Sequence, residues 1–325
     1  MLQQTTINGH DALIIENELL KIVILPRKGA DIYELVDKRL GVNFLLKTPQ
    51  GLLPPAEVEP KDFLDNYEGG WQELFPNTDS SCEYNGTSLP FHGEVALLPW
   101  EFVVERDDAE ETSVRFIVRC RRTPFELQRL MRLREGKADL EIEEVVINHS
   151  EAPAELVWGH HLVLGGDFLE EGCRIEMPAR LLTTRDELYE PATARLAPGQ
   201  REPWPNARGR REGESIDLRY IHGPALHSHD EIFITELSRG QFAVTNPRLR
   251  LRFALEWDES VFPWVVLWQP LGGSDAPPLT GIYGLGIEPW VWPDNLESAV
   301  KQGKAIKVPA GESFSTKLLV SVSTT

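Results

Sequence analysis

Short apolar runs, some alternating and some continuous, each closed off by Gly, Pro, Asn or Asp, recur along almost the whole of this 325-residue chain. They occupy Ala12–Glu16, Lys21–Leu25, Phe102–Glu105, Ser113–Cys120, Leu127–Arg132, Leu140–Asn148, Glu155–Trp158, Ile232–Leu237, Arg250–Trp257, Trp264–Trp268 and Ser315–Val322. Side chains on a strand point alternately to opposite faces, so a period of two marks a sheet with one covered face. The 24 prolines and 25 glycines interrupt too often for long helices, and only Asp294–Lys301 reads as a short one. Strands without interleaved helices must pair antiparallel, because parallel pairing needs crossovers that are not visible. No fixed-period repeat suggests a propeller. The expected fold is all-β, a large antiparallel β-sandwich forming one domain over residues 1–325.

Two stretches break the strand rhythm, Lys47–Asn85 and Arg185–Gly213. Loops of this length in a compact domain are usually functional or disordered. The first carries the aromatic and amide residues a binding site uses; the second, dense in Pro, Arg and Glu, reads as a solvated surface excursion. The net charge of -18 disfavours nucleic acid and anionic membrane surfaces as partners. No run approaches the roughly 18 to 20 apolar residues of a membrane helix, and the start lacks the features of a signal peptide. The three cysteines, Cys82, Cys120 and Cys173, are widely spaced and suggest neither a disulfide framework nor a metal site. A cytoplasmic protein without metal or other cofactor is the expectation, either monomeric or homodimeric.

Four segments carry candidate chemistry. Gly69-Gly70-Trp71-Gln72-Glu73-Leu74-Phe75-Pro76-Asn77, with Phe91-His92-Gly93-Glu94 after it, offers an aromatic face for sugar C–H surface and amides for hydroxyls; it also fits a loop whose Trp packs on the core. Trp158-Gly159-His160-His161 lies on a strand, where only one of two adjacent histidines can face a given cleft, and neither has a partner at metal-ligand spacing. His227-Ser228-His229-Asp230-Glu231 opens another strand with a carboxylate that is either a hydroxyl acceptor or simply exposed. In Gly286-Ile287-Glu288-Pro289-Trp290, a lone Glu stands among bulky apolar neighbours, where burial raises its pKa and suits it to proton transfer.

In this colinear order the segments resemble the aldose 1-epimerase, or galactose mutarotase-like, superfamily over nearly the whole chain. Asn17–Pro26 and Gly29–Ile32 look like its opening strands, Phe75-Pro76-Asn77 with His92-Gly93 its first-histidine region, Trp158–Gly165 its second-histidine strand, and Gly286–Pro289 its base motif. The resemblance implies the supersandwich fold of that family and an isomerase. It makes Glu288 the general base, His92 the first active-site histidine and His161, rather than His160, the second, because Leu164 and Gly165 then stand three and four positions on. Asp230 matches the hydroxyl-binding aspartate. Trp71 would stack on the sugar, Gln72 and Asn77 would orient hydroxyls, and His160 would join them as a substrate-binding residue. The chain departs from the family in lacking a Tyr-Phe-Asn run after the second histidine and in carrying Gly-Gly-Trp-Gln where an arginine is expected.

The implied reaction interconverts sugar anomers: Glu288 takes the proton of the C1 hydroxyl, His161 protonates the ring oxygen, the ring opens, and it recloses on the other face. A non-catalytic or regulatory carbohydrate-binding protein on the same fold is the alternative, and a lyase or glycoside hydrolase pairing Glu288 with Asp230 or Glu73 is a third reading. The segments Glu68–Asn77, Phe91–Val95, Trp158–Gly166 and Tyr283–Asn295 contain no Arg or Lys, so a neutral aldose is expected rather than a sugar phosphate, which would need charge-assisted bonds. Only the loop around Arg208, Arg210 and Arg211 could supply them.

Overall fold

The computed structural model describes residues 1–55 and 62–325, so part of the Lys47–Asn85 stretch lies outside the described residues. Two large antiparallel sheets dominate it. The 12-stranded sheet runs Leu2–Ile7, His10–Glu16, Leu20–Leu25, Asp31–Asp37, Trp71–Leu74, Gly159–Leu164, Leu285–Trp290, Trp264–Leu271, Ser228–Thr235, Leu181–Thr183, Arg201–Pro203, with Val42–Asn43 paired beside Asp31–Asp37. The 8-stranded sheet runs Arg174–Glu176, Gln241–Asn246, Leu251–Trp257, Ser313–Thr324, Asp139–Asn148, Phe125–Arg134, Glu111–Arg119, Glu101–Asp107. Leu296–Lys301 forms a helix capped by the Asn295 side chain, which accepts from the Ser298 N–H. No helix among the described residues is long and apolar enough to cross a membrane.

The back sheet shows why the alternation was readable. Along Asp139–Asn148 buried and half-buried residues alternate strictly, with Leu140, Ile142, Val146 and their neighbours turned inward. These side chains meet Ile22, Ile24, Leu162 and Leu267 of the larger sheet in one buried cluster, whose removal from water is the main favourable term. The centre of the large sheet behaves differently. Trp71–Leu74, Gly159–Leu164 and Leu285–Trp290 are buried at every position, because one face meets the sandwich core and the other is covered by loops. A second apolar cluster, including Phe63, Tyr67, Leu74, Val163, Val266 and Trp290, lies on that loop-covered face.

Tight turns bring the loops in. Gly69 has φ +93°, and a Cβ there would stand 2.2 Å from the Leu46 carbonyl oxygen; Gly93 has φ +78°, and a Cβ would stand 2.4 Å from the Phe75 oxygen. Both positions require glycine. The inward residues of the back sheet should dominate stability. Ile142→Ala is expected to cost about 2–5 kcal/mol, whereas Val104→Ala on the exposed edge strand should stay within about 0.5 kcal/mol, both read from urea unfolding midpoints.

Candidate active site

Register places the central residues. Gly159 pairs with Trp290 and Val163 with Gly286, which sets His161 and Glu288 level on neighbouring strands. Glu288 pairs with Val266, and Trp268 with Glu231. His161, Glu288, Trp290, Val266, Trp268 and Glu231 therefore floor one cavity of about 260 Å³ on the loop-covered face. Phe63, Leu64, Tyr67, Phe91, His92 and Leu279 also line it. His92 arrives with φ +62°, beside the glycine that must follow it. Its ring stands 5.3 Å from that of His161 and 4.8 Å from Phe63, centre to centre.

The pair at the centre is His161 Nε2 and Glu288 Oε1, 3.9 Å apart, on side chains that are almost fully enclosed. Burial raises the Glu288 carboxyl well above the ordinary carboxylate range, and the nearby Glu231 adds to this. Burial drives His161 down to about 3, and burial together with His161 drives His92 well below its usual value. Desolvation penalises whichever form is charged, so the cavity favours a protonated Glu288 and neutral imidazoles at His161 and His92. Among the described residues, several polar atoms of the lining have no hydrogen-bond partner: the Tyr67 hydroxyl, His92 Nδ1 and His161 Nδ1. Such atoms are costly unless something fills the cavity and bonds them.

A residue that sequence reading left out closes the outer wall. Arg185 and Tyr189 line the cavity, so the 185–213 stretch, expected to be a solvated excursion, in part forms the site. Arg185 Nε is 2.7 Å from Glu231 Oε2 and its Nη2 is 2.6 Å from Asp79 Oδ1, while its guanidinium lies over the Phe233 ring. Burial disfavours the charge of Arg185, but the two carboxylates outweigh it and its pKa rises. The expectation of no basic residue at the site is thereby corrected, although this one is already paired twice.

Asp230 does not line this cavity. It accepts from Arg195 Nε at 2.6 Å and from the backbone N–H groups of Arg195 and Leu196, anchoring the 185–213 segment. Strand alternation turns its neighbour Glu231 into the cavity instead, and this one-residue shift is the correction. Trp71, expected to stack on substrate, is buried in the sandwich core and donates its indole N–H to His160 Nδ1 at 3.3 Å. His160 shares that core side, fully buried; Trp268 and Trp290 provide the aromatic surface in the cavity. Gln72 donates to Asp31 Oδ2 and to the Gly69 carbonyl. Asn77 donates to the Ser80 and Pro90 carbonyls and accepts from Leu296 N–H. Asn77 therefore ties down the segments that bear Asp79 and His92, Gln72 bonds the turn at Gly69 and the neighbouring strand, and neither amide lines the cavity.

Comparison with known proteins follows from this geometry. A protein-family model described as "Domain of unknown function (DUF4432)" matches residues 7–322. The chain belongs to the DUF4432 family. No curated protein matches it by sequence. Among solved structures, a galactose mutarotase-like protein from Clostridium acetobutylicum superposes with TM-score 0.68 at 16% identity, covering 100% of this chain and 99% of that one. Another galactose mutarotase-like protein, from Lactobacillus casei, gives TM-score 0.63 at 15% identity, with 96% and 100% covered. The Slr1438 protein from Synechocystis gives 0.68 at 18%, with 100% and 96% covered. These likenesses show that this DUF4432 chain has the galactose mutarotase-like fold.

The two neighbouring carboxylates are expected to separate by role. Asp230→Ala removes an ion pair and two backbone bonds, so it should cost about 1.5–3 kcal/mol and expose the 185–213 segment of the DUF4432 chain to limited proteolysis. Glu231→Gln should leave that segment resistant.

Proposed function

We propose that the cavity binds a neutral aldose and interconverts its anomers by acid–base ring opening and closure. One observation carries this: a carboxyl and an imidazole face each other 3.9 Å apart at the floor of an enclosed, aromatic-walled cavity. Anomerisation needs one group to accept the C1 hydroxyl proton and another to protonate the ring oxygen, with no redox change. Between them Glu288 and His161 hold one exchangeable proton, which burial favours keeping on Glu288. Starting from that neutral state, His161 takes the C1 hydroxyl proton while Glu288 gives its own to the ring oxygen. The C1–ring-oxygen bond breaks, leaving aldehyde, carboxylate and imidazolium. After rotation about C1–C2 the new hydroxyl returns its proton to Glu288, and the imidazolium protonates the former aldehyde oxygen. The roles are thus exchanged relative to a pair that begins as carboxylate and imidazolium, and the exchange follows from the cost of separated charge in a desolvated site.

The same electrostatics favours an uncharged sugar. Glu231 and Asp79 already neutralise Arg185, so an anionic substituent entering here would meet two carboxylates and, among the described residues lining the cavity, no unpaired Arg or Lys. Glu231 instead suits a hydroxyl donor, and Trp268 and Trp290 suit C–H faces. His92, beside His161, would hydrogen-bond a hydroxyl through its unpartnered Nδ1.

Exchange NMR or polarimetry with a panel of aldoses and their 6-phosphates tests this. Anomerisation above the spontaneous rate is expected for at least one neutral sugar, and Glu288→Gln or His161→Gln should lower kcat by about 10²- to 10⁴-fold without loss of the folded state. Sugar binding by calorimetry with no acceleration would make the chain a carbohydrate-binding protein, and release of reducing ends from oligosaccharides would indicate a hydrolase. The pH dependence has a definite sign. The active pair keeps one proton, so the rate should be flat above the His161 value of about 3 and should fall as pH rises through the raised Glu288 value, where that carboxyl ionises.

A further inference from the structure

The sandwich core contains charged groups that the cavity chemistry does not use. On the inner face of the back sheet, Arg129 pairs in register with Glu144, and Glu144 with Thr316. Facing them from the large sheet are Glu73 and His160, themselves in register. All five are buried. Arg129 Nη1 lies 3.3 Å from Glu73 Oε1, and Trp158 donates its indole N–H to Glu73 Oε2 at 2.9 Å. Glu73 is therefore well supplied with donors. Glu144 is not: among the described residues no backbone or side-chain donor outside this cluster bonds either of its oxygens, and the Thr316 hydroxyl beside it has no partner.

The ligating-type atoms of Glu73, Glu144 and His160 lie within 4.8 Å of one another, close enough that a proton or a metal ion between the carboxyls would relieve their mutual repulsion. Two features select a proton over a metal ion. Trp71 donates into His160 Nδ1, which leaves the imidazole proton on Nε2, the atom 3.4 Å from Glu144 Oε2, so the nitrogen that would bind a metal is occupied. Charge balance agrees. Two carboxylates and the Arg129 guanidinium sum to one negative charge, which one proton cancels, whereas a divalent ion would leave the core net positive.

We propose that Glu73 and Glu144 form a proton-sharing carboxylic acid–carboxylate pair that ties the two sheets together, with the proton resident on Glu144. Glu144 donates to the Glu73 carboxylate, Arg129 and Trp158 hold that carboxylate from the other side, and His160 Nε2–H faces Glu144. Burial, and then the charge of Glu73, raises Glu144 to about 8. For Glu73, burial is outweighed by His160, the bond from Glu144, and Arg129, so its pKa is lowered. The charged and titratable groups facing Glu144 are thus Glu73, His160 and Arg129. A carboxyl whose pKa is raised on folding stabilises fully below its unfolded value of about 4.5, and that contribution is lost as pH rises toward about 8.

The test uses the full chain and two isosteric variants. Glu144→Gln replaces a proton donor with an amide donor and should fold with a melting temperature near wild type at pH 5. It should also lack the wild type's relative loss of stability between pH 5 and 8, so the difference in melting temperature grows in its favour as pH rises. Glu73→Gln deprives Arg129 of its anion and should be far more destabilised at every pH. Should Glu73→Gln fail to fold, infrared difference spectra between wild type and Glu144→Gln at pH 7 still decide the matter, since they should contain the carbonyl stretch of a protonated carboxylic acid. Absence of that band, or equal destabilisation by the two variants, would overturn the proposal. So would one equivalent of divalent metal in purified wild type that Glu144→Gln lacks.

Discussion

Alternation along the Gly159–Leu164 strand sends two adjacent histidines into opposite environments, and the rest of the molecule is arranged around that division. His160 enters the sandwich core, where Trp71 donates to it and two carboxyls face it. His161 enters the cavity, where it meets Glu288 and the aromatic wall. A slip of one residue would turn His160 into the cavity and His161 into the core, breaking the contacts of both. The ionic cluster behind the strand and the His161–Glu288 pair in front of it therefore hold the same register from both sides.

The loops complete what the strands begin. Asn77 bonds the Ser80 and Pro90 carbonyls and the N–H of Leu296 at the helix start, so one amide ties together the segments bearing Asp79 and His92 and the helix beyond Glu288. Glu94 accepts from the backbone N–H groups of Arg121 and Arg122, fixing the His92 turn to the back sheet. The 185–213 segment is pinned by Asp230 and reaches the cavity through Arg185 and Tyr189. The cavity is enclosed because three separate stretches of chain are each bonded down by groups that themselves stay out of it.

That division explains what could be read in the sequence. Strands with one covered face, such as Asp139–Asn148 and Ser313–Thr324, declared themselves by alternation, and their ends extended by only a few residues. Trp71–Leu74 and Leu285–Trp290, buried on both faces, carry no period to read. The cavity-lining residues Glu288, His161 and His92 were legible because motif order survives at low identity. Which side of a fully buried strand a residue faces is a tertiary property, and there the reading chose Trp71 and Asp230 where the structure turns Trp268 and Glu231 inward. Arg185 was hidden for a different reason: its segment has the composition of an exposed loop, and only its two carboxylate partners, distant in sequence, draw it to the site.

One physical rule governs both faces of the strand. Each buried site contains more carboxyl groups than a desolvated environment readily keeps ionised, and burial favours a proton on one of them, Glu288 in front and Glu144 behind. The consequences differ because the surroundings differ. Behind, Glu73, Arg129 and Trp158 satisfy the charge that remains, so the proton is held in a closed network within a packed core and serves cohesion. In front, Tyr67, His92 and His161 keep unbonded polar atoms around an open volume. On the proposed reading, a proton on Glu288 is therefore open to a ligand that brings its own hydroxyls. What separates the two buried acids is the space left beside Glu288.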